Sequence, residues 1–109
     1  MTKFINLHTH QFSNLSDVIE VVNQYPWEFD ASIPNYSIGI HPWYIDENRL
    51  ETDLKIIKQK LQLDECLALG ECGLDKRIEI PLDLQISVFK QQLEIVKQTN
   101  KPIVLHCVA

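Results

Sequence analysis

Each of the four histidines in this sequence stands at or just beyond the end of a run of β-type residues. His8 and His10 lie two apart on an extended segment, so alternation sends both imidazoles to one face. At roughly 3.3 Å per residue they stand about 6 to 7 Å apart, and two rings so placed can converge on one ion. His41 closes the run Tyr36-Ser37-Ile38-Gly39-Ile40, His106 closes Ile103-Val104-Leu105, and Glu71 follows the small-residue run that starts at Cys66. Imidazole and carboxylate hold zinc, manganese or similar ions with coordination positions left open, which a hydrolytic metal site requires. The competing reading is that each histidine is an ordinary polar residue that ends its strand by coincidence or caps a loop.

Glu71 poses a problem of direction. Simple alternation groups it with Leu67 and Leu69 rather than with small Cys66, Ala68 and Gly70, and the sequence leaves open which face lines the interior. A bulge at Gly70 would re-aim the carboxylate, and glycine is compatible with close backbone approach. Cys66 and Cys72 are read as packed strand residues rather than nucleophiles, since no basic partner is evident and buried thiols are inert. Cys107 adjoins His106 but faces the opposite way. Trp27, Trp43 and Tyr44 sit beside loops, where such rings cover a core; the alternative is that they line a substrate cleft.

The elements that must position these groups follow from periodicity. Phe4 to Thr9 and Val18 to Val22 are expected strands; the second could be read as a helix from Asp17, but four of its five residues are β-branched and Pro26 follows. Tyr36 to Ile40 is a third. From Glu47 the period changes: Leu50, Leu54, Ile57 and Leu61 recur at helical spacing with Lys55, Lys58 and Lys60 between them. Cys66 to Gly70 is a fourth strand. Ile86, Phe89, Leu93 and Val96 mark a second helix ending near Asn100 before Pro102, and Ile103 to Leu105 is a fifth strand. Strands alternating with amphipathic helices make this an α/β chain of parallel β/α units, whose sites form at strand C-termini.

Composition bounds the functions open to such a chain. At 109 residues, with 45% hydrophobic and 23% charged residues, it is a folded single domain, and neither disordered nor low-complexity. Ten Lys and Arg against fifteen Asp and Glu give a formal charge of −5, so side-chain charge alone makes no footprint for a phosphate backbone. A nucleic-acid substrate would require another cation. Three cysteines without a C-x-x-C pair suggest a reducing compartment. With no apolar run near the ~18 residues of a membrane span, the expectation is a soluble cytoplasmic protein without membrane contact.

Four segments together resemble the TatD family of metal-dependent hydrolases. They are the first strand with its H-x-H pair; Gly39-Ile40-His41-Pro42; Leu69-Gly70-Glu71-Cys72-Gly73-Leu74-Asp75; and the stretch with Gln85, Phe89, Gln92 and Leu93 that leads into Lys101-Pro102-Ile103-Val104-Leu105-His106. The resemblance runs through residues 1–109. It implies the N-terminal part, about five β/α units, of a TIM-like (β/α)8 barrel with a binuclear site at its C-terminal face. Two divalent ions such as Zn, Mn or Mg would be held by His8, His10, Glu71 and His106, with Glu71 bridging both. His41 would touch substrate phosphate, and Asp75 would orient the loop around the site.

A closed barrel takes about 250 residues. The family's further ligand His, the Asp that orients the attacking water and an Arg after the fifth-strand histidine therefore have no counterpart in this sequence. The implied reaction of the complete protein is hydrolysis of DNA at strand ends, without sequence-specific reading, by two metals that clamp the phosphate and acidify water. Hydrolysis of a small-molecule amide or ester is an alternative, because related barrels use nearly the same ligands. A catalytically inactive metal-binding or interaction module is another.

Overall fold

The computed structural model describes the backbone of residues 4–9 and 18–108 and the side chains of residues 20–108. Strands β1 (Phe4–Thr9), β2 (Val18–Gln24), β3 (Tyr36–Ile38), β4 (Cys66–Asp75) and β5 (Ile103–Val108) form one sheet. Helix α1 (Leu50–Leu61) joins β3 to β4, and α2 (Leu82–Val96) joins β4 to β5.

All four pairings are parallel and the spatial order is the chain order, β1 to β5. A sheet that grows in one direction through right-handed crossovers receives its helices on one face, so it curls as a barrel wall instead of reversing as a doubly wound sheet. The molecule is accordingly a partial TIM-like barrel, with helices outside and the other face turned to the barrel interior.

Helix α1 forms where Leu50, Leu54, Ile57 and Leu61 stack on one face. Glu51 and Asp53 in its first turn and Lys58 and Lys60 in its last complement the helix dipole. The Lys101 ammonium donates to the carbonyls of Leu61 and Leu63, closing the helix end. In α2 the buried positions are Gln85, Val88, Gln92 and Val96, again one face. Both helices pack on β4 and on each other. The core between sheet and helices contains Ile38, Ile40, Ile57, Leu61, Leu69, Cys72, Val88 and Val96. Each large apolar side chain so buried contributes about 1.5–3 kcal/mol.

Four expected boundaries move. β2 runs on to Gln24 rather than ending at Val22, β3 stops at Ile38, α1 starts at Leu50 rather than near Glu47, and α2 ends at Val96 rather than near Asn100. The larger difference is β4, which runs ten residues to Asp75, so Glu71 lies inside the strand and not after it. β5 likewise continues through His106 to Val108.

Candidate metal centre

Each site residue is placed by a backbone device that the sequence supplies. His41 follows β3 and stands at the N-cap of the 3-10 turn Pro42–Tyr44, where its Nδ1 accepts the Trp43 backbone N–H at 3.1 Å. The preceding Ile40 is gripped by the buried Gln92 amide. Gln92 Oε1 accepts Ile40 N–H at 2.8 Å, and its Nε2 donates to the carbonyls of Ile40 and Val88. Gln85, seven residues earlier on the same helix face, treats Asp75 in the same way. It accepts Asp75 N–H at 2.8 Å and donates to the carbonyls of Asp75 and Ile80. The two glutamines thus replace ladder hydrogen bonds that the strand ends lack.

Glu71 rides on an irregularity of β4. Gly70 pairs with Val104 and Cys72 with Leu105, so Glu71 is skipped in the ladder. Its N–H instead donates to Asn23 Oδ1 of β2 at 2.5 Å, and Asn23 also accepts the Ser37 hydroxyl of β3. Gly70 (φ +146°) and Gly73 (φ +141°) let β4 press against β5 here. A Cβ on Gly70 would lie 2.6 Å from the Val104 carbonyl oxygen, and one on Gly73 would collide with the carbonyl of His106.

At this rim the side chains converge. Glu71 Oε1 lies 3.7 Å from His41 Nε2, and Glu71 Oε2 lies 3.7 Å from His106 Nδ1. Among the described residues His41, Glu71 and His106 form one group whose donor atoms all fall within 4.8 Å of one another. Atoms that share a first-row ion at about 2.1 Å stand about 3.0–3.4 Å apart, so a shift of a few tenths of an ångström closes Glu71 and His106 on a cation. An imidazole and a carboxylate are the ligand types that suit a divalent ion with open positions.

Behind them Asp75, fully buried, has both oxygens engaged. Oδ2 accepts Trp43 Nε1–H at 2.8 Å and Arg77 Nη2–H at 3.0 Å and lies 3.0 Å from His106 Nε2. Oδ1 accepts the Arg77 backbone N–H at 2.9 Å and Nε–H at 3.1 Å. The Arg77 guanidinium first, then the Trp43 indole, hold its carboxyl well below the usual carboxylate range. Asp75, expected to orient the loop around the site, holds Arg77 and Trp43 and is also in direct contact with His106. The signal was present in the sequence, because Glu71, Gly73 and Asp75 alternate along one extended run.

A cavity of about 370 Å³ is lined by Tyr25, His41, Trp43, Tyr44, Glu71 and His106. Trp43 (47% exposed) and Tyr44 (43%) are walls of this cleft rather than covers of the core. Tyr25, which no sequence pattern singles out, also lines the cleft, and burial raises its hydroxyl pKa. Trp27 stacks on Tyr25 with centroids 4.9 Å apart and carries the Arg49 guanidinium 4.0 Å over its ring. Arg49 in turn bonds the Tyr44 carbonyl and Asp53, tying the 3-10 turn to α1.

Cys66 and Cys72 are buried, and burial pushes the Cys72 thiol up to about 12, so neither is a nucleophile near neutral pH. His8 lies on β1, in the stretch between Asn6 and Thr9 where the pairing with β2 is irregular, and the structure describes its backbone alone. His10 falls outside the described residues. No helix of the described residues is long and apolar enough to cross a membrane.

Comparison with known proteins agrees with this geometry. The family model for TatD related DNase matches residues 1–109. An uncharacterized metal-dependent hydrolase, YabD, of Bacillus subtilis (strain 168) is 32% identical over 94 residues, covering 84% of this chain and 34% of that protein. The 3'-5' ssDNA/RNA exonuclease TatD of Erwinia billingiae (strain Eb661) is 37% identical over 71 residues, 63% of this chain and 26% of the relative. An uncharacterized metal-dependent hydrolase of Haemophilus influenzae is 36% identical over 78 residues, 65% and 29% respectively. The chain thus spans about a third or less of the length of the curated relatives it matches.

Proposed function

The chain belongs to the TatD related DNase family, and from that premise we propose that residues 1–109 are one domain, the N-terminal part of a metal-dependent phosphodiesterase barrel that shortens single-stranded DNA from its ends. Two relatives are named metal-dependent hydrolases, and this protein would carry that chemistry to DNA in the cytoplasm. The observation that carries it is the convergence of His41, Glu71 and His106 in one aromatic-walled cleft at the C-terminal rim of a parallel sheet.

Glu71 and His106 would hold a divalent ion, and the family resemblance adds His8 and His10 to the same ligand set. An ion so held supplies Lewis-acid charge to a phosphodiester and acidifies water. It also supplies the positive charge that a chain of formal charge −5 lacks.

His41 takes a different part, set by its hydrogen bonds. Because Nδ1 accepts the Trp43 N–H, the neutral ring carries its proton on Nε2, the atom that faces the cleft. An N–H there donates to an anionic oxygen and has no lone pair for a metal, which supports His41 as a phosphate-binding residue. Trp43 and Tyr44 offer ring faces on which unpaired bases stack, at about 1–3 kcal/mol per base.

The test is a nuclease assay on end-labelled single-stranded DNA with Mn²⁺, Mg²⁺ or Zn²⁺, using the purified protein. Metal-dependent shortening abolished by EDTA is expected. Cleavage that persists in excess EDTA, or turnover of lactones or cyclic amides without turnover of DNA, would overturn this reading.

A further inference from the structure

Resting on the metal reading above, we propose that Asp75 is a positioning residue that fixes the tautomer and ring orientation of His106, so that Nδ1 is the atom offered to the metal. A carboxylate only accepts hydrogen bonds, so the 3.0 Å contact between Asp75 Oδ2 and His106 Nε2 requires the imidazole proton on Nε2. The other nitrogen, Nδ1, then presents its lone pair towards Glu71 Oε2, 3.7 Å away. A lone pair and a carboxylate facing each other across that distance are satisfied by a cation between them.

Asp75 does not compete for the ion. Its two oxygens already meet Trp43, Arg77 and His106, and its position at the end of β4 is clamped through the backbone by Gln85. The same carboxylate holds the Trp43 indole at the cleft wall, so one buried group sets both a ligand and a wall. A buried carboxylate that orients a ligating imidazole in this way raises metal affinity by about 10- to 100-fold.

His41 shows that the tautomer lock is specific. Both rings carry the proton on Nε2, but His41 turns Nε2 to Glu71 whereas His106 turns Nδ1. One ring therefore gives the cleft a donor and the other a lone pair.

The experiment is nitrogen-15 NMR of the histidine-labelled, metal-free chain at pH 8, with the His106 signals assigned by their loss in His106→Gln. A protonated Nε2 with a slowly exchanging proton and a bare Nδ1 is expected for His106. In Asp75→Ala the exchange protection is lost, and calorimetry with Mn²⁺ shows affinity weaker by about 10- to 100-fold. Arg77→Gln, which leaves the carboxylate in place, keeps the wild-type His106 signature.

A wild-type His106 protonated on Nδ1, or a folded Asp75→Ala chain with unchanged Mn²⁺ affinity, would overturn the proposal. Should Asp75→Ala fail to fold by circular dichroism, the wild-type spectrum alone decides the tautomer. An Nε2–H signature in a chain that binds no Mn²⁺ would support the tautomer lock while overturning the metal reading beneath it.

Discussion

β4 and β5 lie side by side, and each gives the rim one donor, yet they are held in different ways. β4 is flanked by β3 and β5, covered by both helices, and nearly every residue from Ala68 to Asp75 is at least half-buried. β5 stands at one end of the sheet, alternates exposed with half-buried positions, and leaves Leu105 58% exposed. Glu71 is therefore placed by packing and by backbone hydrogen bonds, whereas His106 is placed by what β4 offers it: the ladder past Gly73 and the carboxylate of Asp75. Within residues 20–108, His106 takes its position from β4.

The most damaging change to this arrangement is expected at the contact between the two strands. Gly73→Ala puts a methyl against the His106 carbonyl at a φ that L-residues rarely adopt, and should cost about 4 kcal/mol or more, read as loss of a cooperative urea transition. Next comes the glutamine clamp behind β3 and β4. Gln92→Leu strands the buried N–H and carbonyl of Ile40 and should lower unfolding free energy by about 2–4 kcal/mol.

A thiol probe sharpens the same contrast without altering the fold. At pH 8 iodoacetamide should modify exposed Cys107 of β5 within minutes. Buried Cys66 and Cys72 of β4 should react only after denaturation, as peptide mass spectrometry would report. Equal labelling of Cys72 and Cys107 in the native chain would erase the distinction. The smallest effect belongs to the outer face of β5, where Leu105→Ser should change stability by less than about 0.5 kcal/mol in the same urea titration.

The sequence made the parallel β/α order legible because β-branched runs and the 3.6-residue period of Leu50, Leu54, Ile57 and Leu61 report burial directly. It made the rim residues legible because histidines at strand ends in a parallel sheet share one edge. The full extent of β4 was hidden, since the strand reads as ending at Gly70, whereas Gly70 and Gly73 permit close pairing with β5. The aim of Glu71 was hidden too, because a skipped ladder position is a property of two strands together. Asp75 and Trp43 were harder still: the bond between their side chains links residues 32 positions apart, and no local pattern encodes it.

The most direct test of the rim as a metal centre is calorimetric titration of the EDTA-stripped chain with Mn²⁺ and Zn²⁺, run in parallel on Glu71→Gln. Saturable binding by the wild type, weakened at least tenfold in a Glu71→Gln chain of unchanged circular dichroism, is the expected result. No binding by the folded wild type, or equal binding by both chains, would contradict it.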